Sequence, residues 1–248
     1  MLIMSALVLV SFIAADLYYR HDNNAVDPRI QQARELYSRY DGYAQNNDFK
    51  AVFNLLDSIE SIYHSIPYYS QSYEIGVITN NKAAAYLSMA LYFDSNSISL
   101  DGITSLSKDT LLFMGGTVAR KSISCYEKWL KSFGDKSPDE LEALLKTEFL
   151  TDLATYPTNM KKRFLQKRLE EMEKAQYETP RRLSVAYTNL GIVKRHNEDY
   201  EGAINCYTKA MELWDRNLTA ENNLHVLIGL PLKKQSVLEK IFPPEKRE

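Results

Sequence analysis

The chain has 248 residues, of which 45 % are hydrophobic and 25 % charged, a composition typical of a globular protein that buries a substantial core. Its net charge of −2 argues against a dominant nucleic-acid role, because phosphate binding requires a surplus of lysine and arginine on one face. Nine glycines and eight prolines are few for the many turns of an all-β protein, so the composition favours helices.

An uncharged apolar run, MLIMSALVLVSFIAA, opens the chain and ends at Asp16. Tyr18, Tyr19 and Arg20 follow, and such side chains anchor a membrane helix at the headgroup level. Residues 1–19 approach the length of a membrane span, about 17 to 20 residues, so we predict a single-pass N-terminal anchor. Its apolar side chains include Leu2, Ile3, Leu7, Val8, Leu9, Val10, Phe12 and Ile13. A cleaved signal segment and a buried first helix remain alternatives, although no basic residue precedes the run.

Residues 20–27 are predicted to form a polar linker behind this segment. Arg20, Arg29 and Arg34 lie on the C-terminal side of the apolar run, and no basic residue lies on its other side. The positive-inside rule therefore favours a body that faces the cytosol. A body on the secreted or periplasmic side remains the alternative.

The chain after the linker is predicted to form helical hairpins. Asp27 and Pro28 are a typical helix start, and apolar residues then recur at helical spacing on both sides of the polar stretch QNND. A third helix is predicted over 78–93. Residues 94–116 are less regular and are predicted to be an insertion with a short helix. Helical periodicity returns over 117–133.

The second half of the chain continues in the same way. Ser137, Pro138 and the acidic residues behind them are a strong helix-start signal. Pro157 separates that helix from the next one, and the C-terminal third is predicted to hold two or three further helices before a tail over 243–248. No stretch of useful length alternates as a strand does, so the sequence predicts an all-α chain.

One segment carries a recognisable pattern: SVAYTNLGIVKRHNEDYEGAINCYTKAMELWDRN, residues 184–217. Its first helix holds a large residue followed by a small one, Leu190 and Gly191. Its second helix carries bulky and small residues in turn, at Tyr200, Ala203, Tyr207 and Ala210. The segment resembles a tetratricopeptide repeat, a unit of about 34 residues in which two helices pack as a hairpin. In that family the glycine lets the partner helix approach.

The resemblance extends beyond this unit. Leu224 lies one repeat length after Leu190, since 224 − 190 = 34, and marks the first helix of another repeat. The match is strongest over 184–227. It implies that residues 28–242 form a superhelical array of antiparallel hairpins, behind the N-terminal membrane helix.

The only two cysteines, Cys125 and Cys206, lie in two stretches that align, SISCYEKWL and AINCYTKAM. The alignment pairs Ser122 with Ala203 and Tyr126 with Tyr207. The first helix of the earlier unit is placed around 83–93. Helices two repeats apart do not touch, so the cysteines are predicted to be packing residues of two equivalent helices, not a disulfide or a metal pair.

The sequence holds none of the short motifs that mark nucleotide, zinc or acyl-transfer sites. Its four histidines are scattered: His21, His64, His196 and His225. We therefore expect neither an enzyme nor a bound cofactor. An enzyme or a ligand-binding protein on a helical scaffold is the less favoured alternative.

A partner site is implied by two asparagines at equivalent first-helix positions, since 223 − 189 = 34. In peptide-binding tetratricopeptide proteins the first helices line a concave groove, and an asparagine there can bond a peptide backbone as donor and acceptor. The predicted groove residues are Asn189, Asn223, Thr188, Ile192, Arg195 and Asn222. A role in packing or at the surface is the alternative.

Seventeen tyrosines are more than repeat packing needs, and the stretch IPYYSQSY contains three of them. Tyrosine is favoured at interfaces, so Tyr68, Tyr69 and Tyr73 are predicted to contact a partner, with loop packing as the alternative. These features together indicate a membrane-anchored adaptor or assembly scaffold that holds other proteins. A permanent structural subunit of a larger membrane complex is the alternative.

Overall fold

The computed structural model describes residues 25–92 and 106–234, and within these ranges the chain is all-helical. Nine α-helices are described: α1 (Gln31–Tyr37), α2 (Tyr40–Gln45), α3 (Phe49–Ser65), α4 (Tyr73–Tyr92), α5 (Lys108–Phe133), α6 (Pro138–Glu148), α7 (Thr158–His196), α8 (Tyr200–Leu213) and α9 (Leu218–Ile228). Short 3-10 helices occupy Pro28–Ile30, Pro67–Tyr69 and Thr151–Leu153. The all-α prediction is confirmed for these residues.

The predicted membrane helix, residues 1–19, lies outside the described residues. So do the linker up to residue 24 and the tail. Among the described helices, none is both long and apolar enough to cross a membrane.

Polar caps explain where several helices begin. Asp27 accepts a hydrogen bond from the backbone N–H of Arg29 at 2.9 Å, directly before Pro28. Ser137 and Glu140 form a reciprocal capping box in front of α6. Both starts agree with the sequence prediction, because a capping side chain replaces the partner that the first helical N–H groups lack.

Two antiparallel hairpins form the centre of the molecule. In the first, α4 packs along α5, so that Gly115 near the start of α5 lies against Ala83 and Leu87 in α4. In the second, the C-terminal half of α7 packs along α8. The hairpins meet where Gly116 of α5 lies against Val193 of α7. The helix α3 packs on the other side of α4, and α9 packs on α8.

The helix α7 is longer than the sequence analysis predicts, because its 39 residues run through Pro180 without a break. An internal proline removes one backbone hydrogen bond, here the one to the Gln176 carbonyl, and costs about 3 kcal/mol. Tertiary packing offsets this cost. A buried stripe continues on both sides of the proline: Met172, Ala175, Thr179, Leu183 and Ala186.

The predicted insertion also differs from the structure. The helix α5 begins at Lys108, with Ser107 as its N-cap, well inside the range 94–116. Gly115 and Gly116 are buried in this helix, at its contacts with α4 and α7. Without side chains they add little to a hydrophobic pattern, which explains why periodicity alone places the helix start too late.

Candidate functional site

A glycine faces a tyrosine ring in each central hairpin. In the α7–α8 hairpin, a Cβ placed on Gly191 would lie 2.5 Å from Cε1 of Tyr207. In the α4–α5 hairpin, a Cβ placed on Gly76 would lie 2.5 Å from Cε1 of Tyr126. Both tyrosines are almost fully buried. Each pair of helices therefore approaches closely only because the first helix carries glycine at that point.

The neighbours of the two tyrosines also correspond. Ser122 and Ala203 each lie four residues before a buried tyrosine, and both are fully buried. The Ser122 hydroxyl donates to the Gly76 carbonyl at 2.9 Å, which adds a polar tie across the first hairpin. In the second hairpin the Ser184 hydroxyl donates to the Ala210 carbonyl at 2.6 Å.

Each cysteine directly precedes one of these tyrosines. Cys125 lies in α5 and Cys206 in α8, and both are free thiols. Burial raises the pKa of both thiols, with nearby lysines opposing the change. A raised pKa leaves the thiol protonated and unreactive at neutral pH, so both side chains act as packing residues.

The first helix of the earlier hairpin begins earlier than predicted, since α4 spans Tyr73–Tyr92 and the predicted segment is 83–93. Tyr126 packs on Gly76 near the start of α4, and Ala83 of the predicted segment lies in the same buried cluster. The available signal is Ile75 followed by Gly76, a large–small pair. It is hard to see, because 126 − 76 = 50 residues separate glycine from tyrosine in this hairpin, against 207 − 191 = 16 in the other.

Two of the predicted groove residues are buried. The Asn189 amide donates to Oδ1 of Asn80 in α4 at 3.0 Å. The side chain is only 9 % exposed, so little of its surface can contact a partner. Thr188 donates to the Ser184 carbonyl and accepts from the Asn217 amide at 2.9 Å. The prediction is wrong for Thr188, since these bonds fasten α7 to the N-cap of α9. Asn189 likewise joins α4 to α7.

The other four predicted residues are half-buried and lie on α7 and α9. Arg195 donates from Nη1 to Oδ1 of Asn223 at 3.0 Å, which joins the two helices. Asn222 exchanges two hydrogen bonds with the Lys233 backbone, at 3.0 and 2.7 Å. We name the set Ile192, Arg195, Asn222 and Asn223 the α7–α9 surface. It stays the predicted partner site.

Exposed apolar side chains continue from the α7–α9 surface. Val226 and Ile228 at the end of α9 are 54 % and 51 % exposed, and Leu230 and Leu232 after it are 50 % and 61 % exposed. Single exposed apolar residues are normal, but four within seven positions are not. This set, the α9 apolar patch, is the part of the described surface that most resembles an interface.

The charge of His196, next to Arg195, also affects this end of the molecule. Burial lowers the pKa of His196, and the positive charges of Arg195 and Lys108 lower it further. At neutral pH the imidazole is therefore uncharged, and Arg195 carries the positive charge beside the α7–α9 surface.

The three tyrosines predicted as an interface lie around one arginine side chain, and Tyr68 and Tyr73 are half-buried there. Their rings surround the Arg168 guanidinium of α7, whose carbon lies 5.4, 4.7 and 5.4 Å from the ring centres of Tyr68, Tyr69 and Tyr73. Tyr69 is fully buried, so the interface prediction is wrong for it. The aromatic rings exclude water from Arg168 and attract its positive charge through their faces.

Arg168 is held by a buried ion pair with Glu74 at the start of α4. Nη1 of Arg168 lies 2.5 Å from one Glu74 oxygen and 3.2 Å from Oε2 of Glu171. Burial raises the pKa of the Glu74 carboxyl, but the opposing charge and hydrogen bonds of Arg168 are stronger, and the net pKa is lowered. The pair is therefore ionised and fixes α7 on α4.

The described part of the chain shows neither a metal-binding site nor an accessible N-glycosylation site. Within residues 25–92 and 106–234, no group of three or more His, Cys, Asp and Glu side chains is placed to hold a metal. Asn217 begins an Asn-Leu-Thr glycosylation pattern, but its side chain is buried and its amide bonds Ser184 and Thr188. The folded chain therefore does not present this asparagine for modification.

Comparison of the chain with protein-family models, with curated proteins and with solved structures gives no match in any of the three.

Proposed function

We propose that this protein is a membrane-anchored adaptor or assembly scaffold that holds partner proteins on an array of tetratricopeptide-like hairpins. The repeated glycine–tyrosine contact carries this proposal. Gly76–Tyr126 and Gly191–Tyr207 support two equivalent hairpins, and α9 begins at Leu218, which lies 218 − 184 = 34 residues, one repeat length, after Ser184 in α7. Arrays of this kind bury a shared core and leave one side of their first helices open to partners.

The partner is proposed to bind at the α7–α9 surface and the α9 apolar patch. Arg195 offers a positive charge and Asn223 an amide, while Val226, three residues after Asn223 on the same face of α9, offers apolar area beside them. A peptide or helix with an acidic group near large apolar side chains is complementary to this combination. The apolar contacts supply affinity, and Arg195 and Asn223 fix the position of the partner along the surface.

The other end of the first-helix side is covered by the chain itself. The N-terminal half of α7 lies against α1 and α4, where Arg34 pairs with Glu171 and Glu74 pairs with Arg168. Since these contacts occupy that end, the proposed partner site lies at the C-terminal end of the array.

Membrane attachment is proposed to come from residues 1–19. Deleting these residues should release the protein from the membrane fraction, because little else in the composition favours a bilayer. The measurement is fractionation of cells that express the full chain or the deletion, before and after a high-salt wash. A deletion that stays with the membranes after the wash would show that the anchor is elsewhere.

The partner site is tested by photo-crosslinking of the full chain in its own membranes. A photoreactive amino acid replaces Asn223 on the α7–α9 surface, and a matched variant carries it at Glu212, an exposed residue of α8. We expect a discrete crosslinked protein from position 223 and none from position 212. Equal crosslinking at both positions would show that this surface has no specific role.

The same crosslinked complex separates the adaptor from a permanent subunit. A fixed stoichiometry that resists high salt indicates a permanent subunit. Exchange of the partner with added peptide indicates an adaptor, because only a reversible site equilibrates with free peptide.

A further inference from the structure

A cavity of about 560 Å³ lies away from the α7–α9 surface, on the other end of α7. It is bounded by the end of α3, the turn before α4, the C-terminal half of α5 and residues of α7. Its volume falls in the range of small-molecule sites, about 300 to 1,000 Å³. The proposed adaptor function does not use it.

The inner wall of the cavity is apolar and aromatic. Trp129, Ile75 and Met172 line it, and each is about 2 % exposed, so the cavity reaches the core. Tyr68 and Phe133 complete this wall, and the Phe133 ring centre lies 5.5 Å from that of Trp129. Such a wall suits an aromatic or aliphatic group.

The rim of the cavity is mainly basic. Lys121 and Lys128 lie one above the other on α5, and His64 faces them from the end of α3. Lys121 pairs with Glu60 at 2.7 Å, whereas Lys128 makes no ion pair within the described residues. Glu148 is the acidic residue of the lining. Arg168 also lines the cavity, but Glu74 and Glu171 neutralise it.

A buried hydroxyl in the lining lies beside a carboxyl group. Ser72 is 6 % exposed, and its Oγ makes no hydrogen bond of normal length and angle within the described residues. The hydroxyl lies beside the Glu74 carboxyl and helps to lower its pKa. Its one proton faces that carboxylate, so the basic rim, and not this hydroxyl, is the part of the lining that attracts an anion.

We propose that this cavity binds a monocarboxylate that carries an apolar group. The carboxylate accepts hydrogen bonds from Lys128, and the apolar group packs on Trp129, Met172 and Phe133. Two sources share this chemistry: a small free acid, and the C-terminal residue of a peptide that ends in an apolar side chain. The basic rim and the apolar wall are both needed, so neutral and cationic analogues are rejected.

The test uses the full chain with Trp214→Phe, which leaves Trp129 as the only tryptophan, so that its emission reports the cavity. The probes are 4-phenylbutyrate, its amide, and 4-phenylbutylamine. A second arm compares acetyl-Gly-Gly-Phe with its C-terminal amide. We expect a saturable change in Trp129 emission with the acids, and binding at least tenfold weaker for the amides and the amine.

Substitutions then locate the carboxylate. Lys128→Met should weaken 4-phenylbutyrate binding about tenfold, the usual effect of losing a hydrogen bond to a charged group. The matched control is Lys131→Met, an exposed lysine on the same helix outside the lining, which should leave binding unchanged.

The outcomes are distinct. Tighter binding of the peptide acid identifies a protein C-terminus as the source, and tighter binding of 4-phenylbutyrate identifies a small acid; both support the proposal. No saturable change in emission, equal binding of acids and amides, or equal effects of Lys128→Met and Lys131→Met would overturn it. None of these results bears on the α7–α9 surface, which the variants leave intact.

Discussion

At the scale of single residues, the two glycines that face tyrosines determine how closely the central hairpins pack. Gly76→Ala and Gly191→Ala should each lower the free energy of unfolding by about 1 to 3 kcal/mol, since the added methyl group would overlap a buried ring. The measurement is urea unfolding of the full chain in mild detergent. The two substitutions should have similar effects, because the two contacts have the same geometry.

Gly42→Ala is the matched control, because it lies in α2 with nothing within 4 Å of the added Cβ. It should raise stability by up to about 1 kcal/mol through helix propensity alone. A Gly76→Ala or Gly191→Ala protein as stable as Gly42→Ala would contradict the close approach of the hairpins.

Glu60 gives a residue-scale prediction about pH. Burial raises the pKa of its carboxyl, but hydrogen bonds from Lys121 and Lys82 outweigh burial and lower the pKa to about 2. Since this folded pKa lies below the ordinary value of 4.5, the unfolded chain binds more protons between these pH values. The stabilisation by Glu60 is complete above about pH 5 and is lost as the pH falls towards 2.

Glu60→Gln should therefore flatten the loss of stability on acidification, as measured by urea midpoints between pH 7 and pH 3. Glu142→Gln is the control, because it breaks an exposed pair with Lys146 in α6, and exposed pairs contribute little. If both variants lose stability as steeply as the unmodified chain, the Glu60 cluster does not stabilise the fold.

At the scale of elements, α7 joins two parts of the molecule, and Gln176 fastens its middle. The Gln176 amide donates to the carbonyls of Phe133 and Lys136 at 2.6 and 2.8 Å, at the end of α5. Gln176→Ala should lower the free energy of unfolding by about 1 to 3 kcal/mol, because it leaves the Lys136 carbonyl without this partner and the Phe133 carbonyl with only the Lys136 N–H at 3.3 Å. Gln166→Ala, at an exposed position of α7, should cost less than 0.5 kcal/mol. Equal unfolding midpoints for the two variants would show that Gln176 does not stabilise the contact between α7 and the end of α5.

Local signals predict some elements well and fail for others. The starts at Pro28 and Ser137 are predictable, because a cap depends on residues within one turn. The continuity of α7 through Pro180 is not, because packing against distant helices offsets the local cost of proline. The start of α5 is missed for a related reason, since Gly115 and Gly116 matter only through the helices they contact.

The candidate site shows the same division. The spacing of 34 residues predicts that the helix with Asn223 packs beside α7. In the structure Asn223 accepts a hydrogen bond from Arg195 of α7. The spacing cannot reveal that Asn80 lies close enough to α7 to bond Asn189, or that the rings of Tyr68, Tyr69 and Tyr73 lie around Arg168. Both contacts join residues about 100 positions apart, and no local pattern encodes such a pairing.

At the scale of the whole molecule, two surface features of the described residues lie at opposite ends of α7. The C-terminal end of the array carries the α7–α9 surface and the α9 apolar patch, which we propose for partner proteins. The other end of α7 carries the cavity with a basic rim. The helix α7 contributes to both, so one rigid element fixes the position of each feature relative to the core.

The central claim, partner binding at the α7–α9 surface, is tested most directly by an affinity comparison. The partner captured through position 223 is titrated with the full chain carrying Arg195→Ala and Asn223→Ala, and with a matched pair, Lys209→Ala and Glu212→Ala, which breaks an exposed contact of 3.1 Å on α8. We predict at least tenfold weaker binding for the first pair and unchanged binding for the second, with equal unfolding midpoints. Unchanged affinity in the Arg195 and Asn223 variant would contradict the claim.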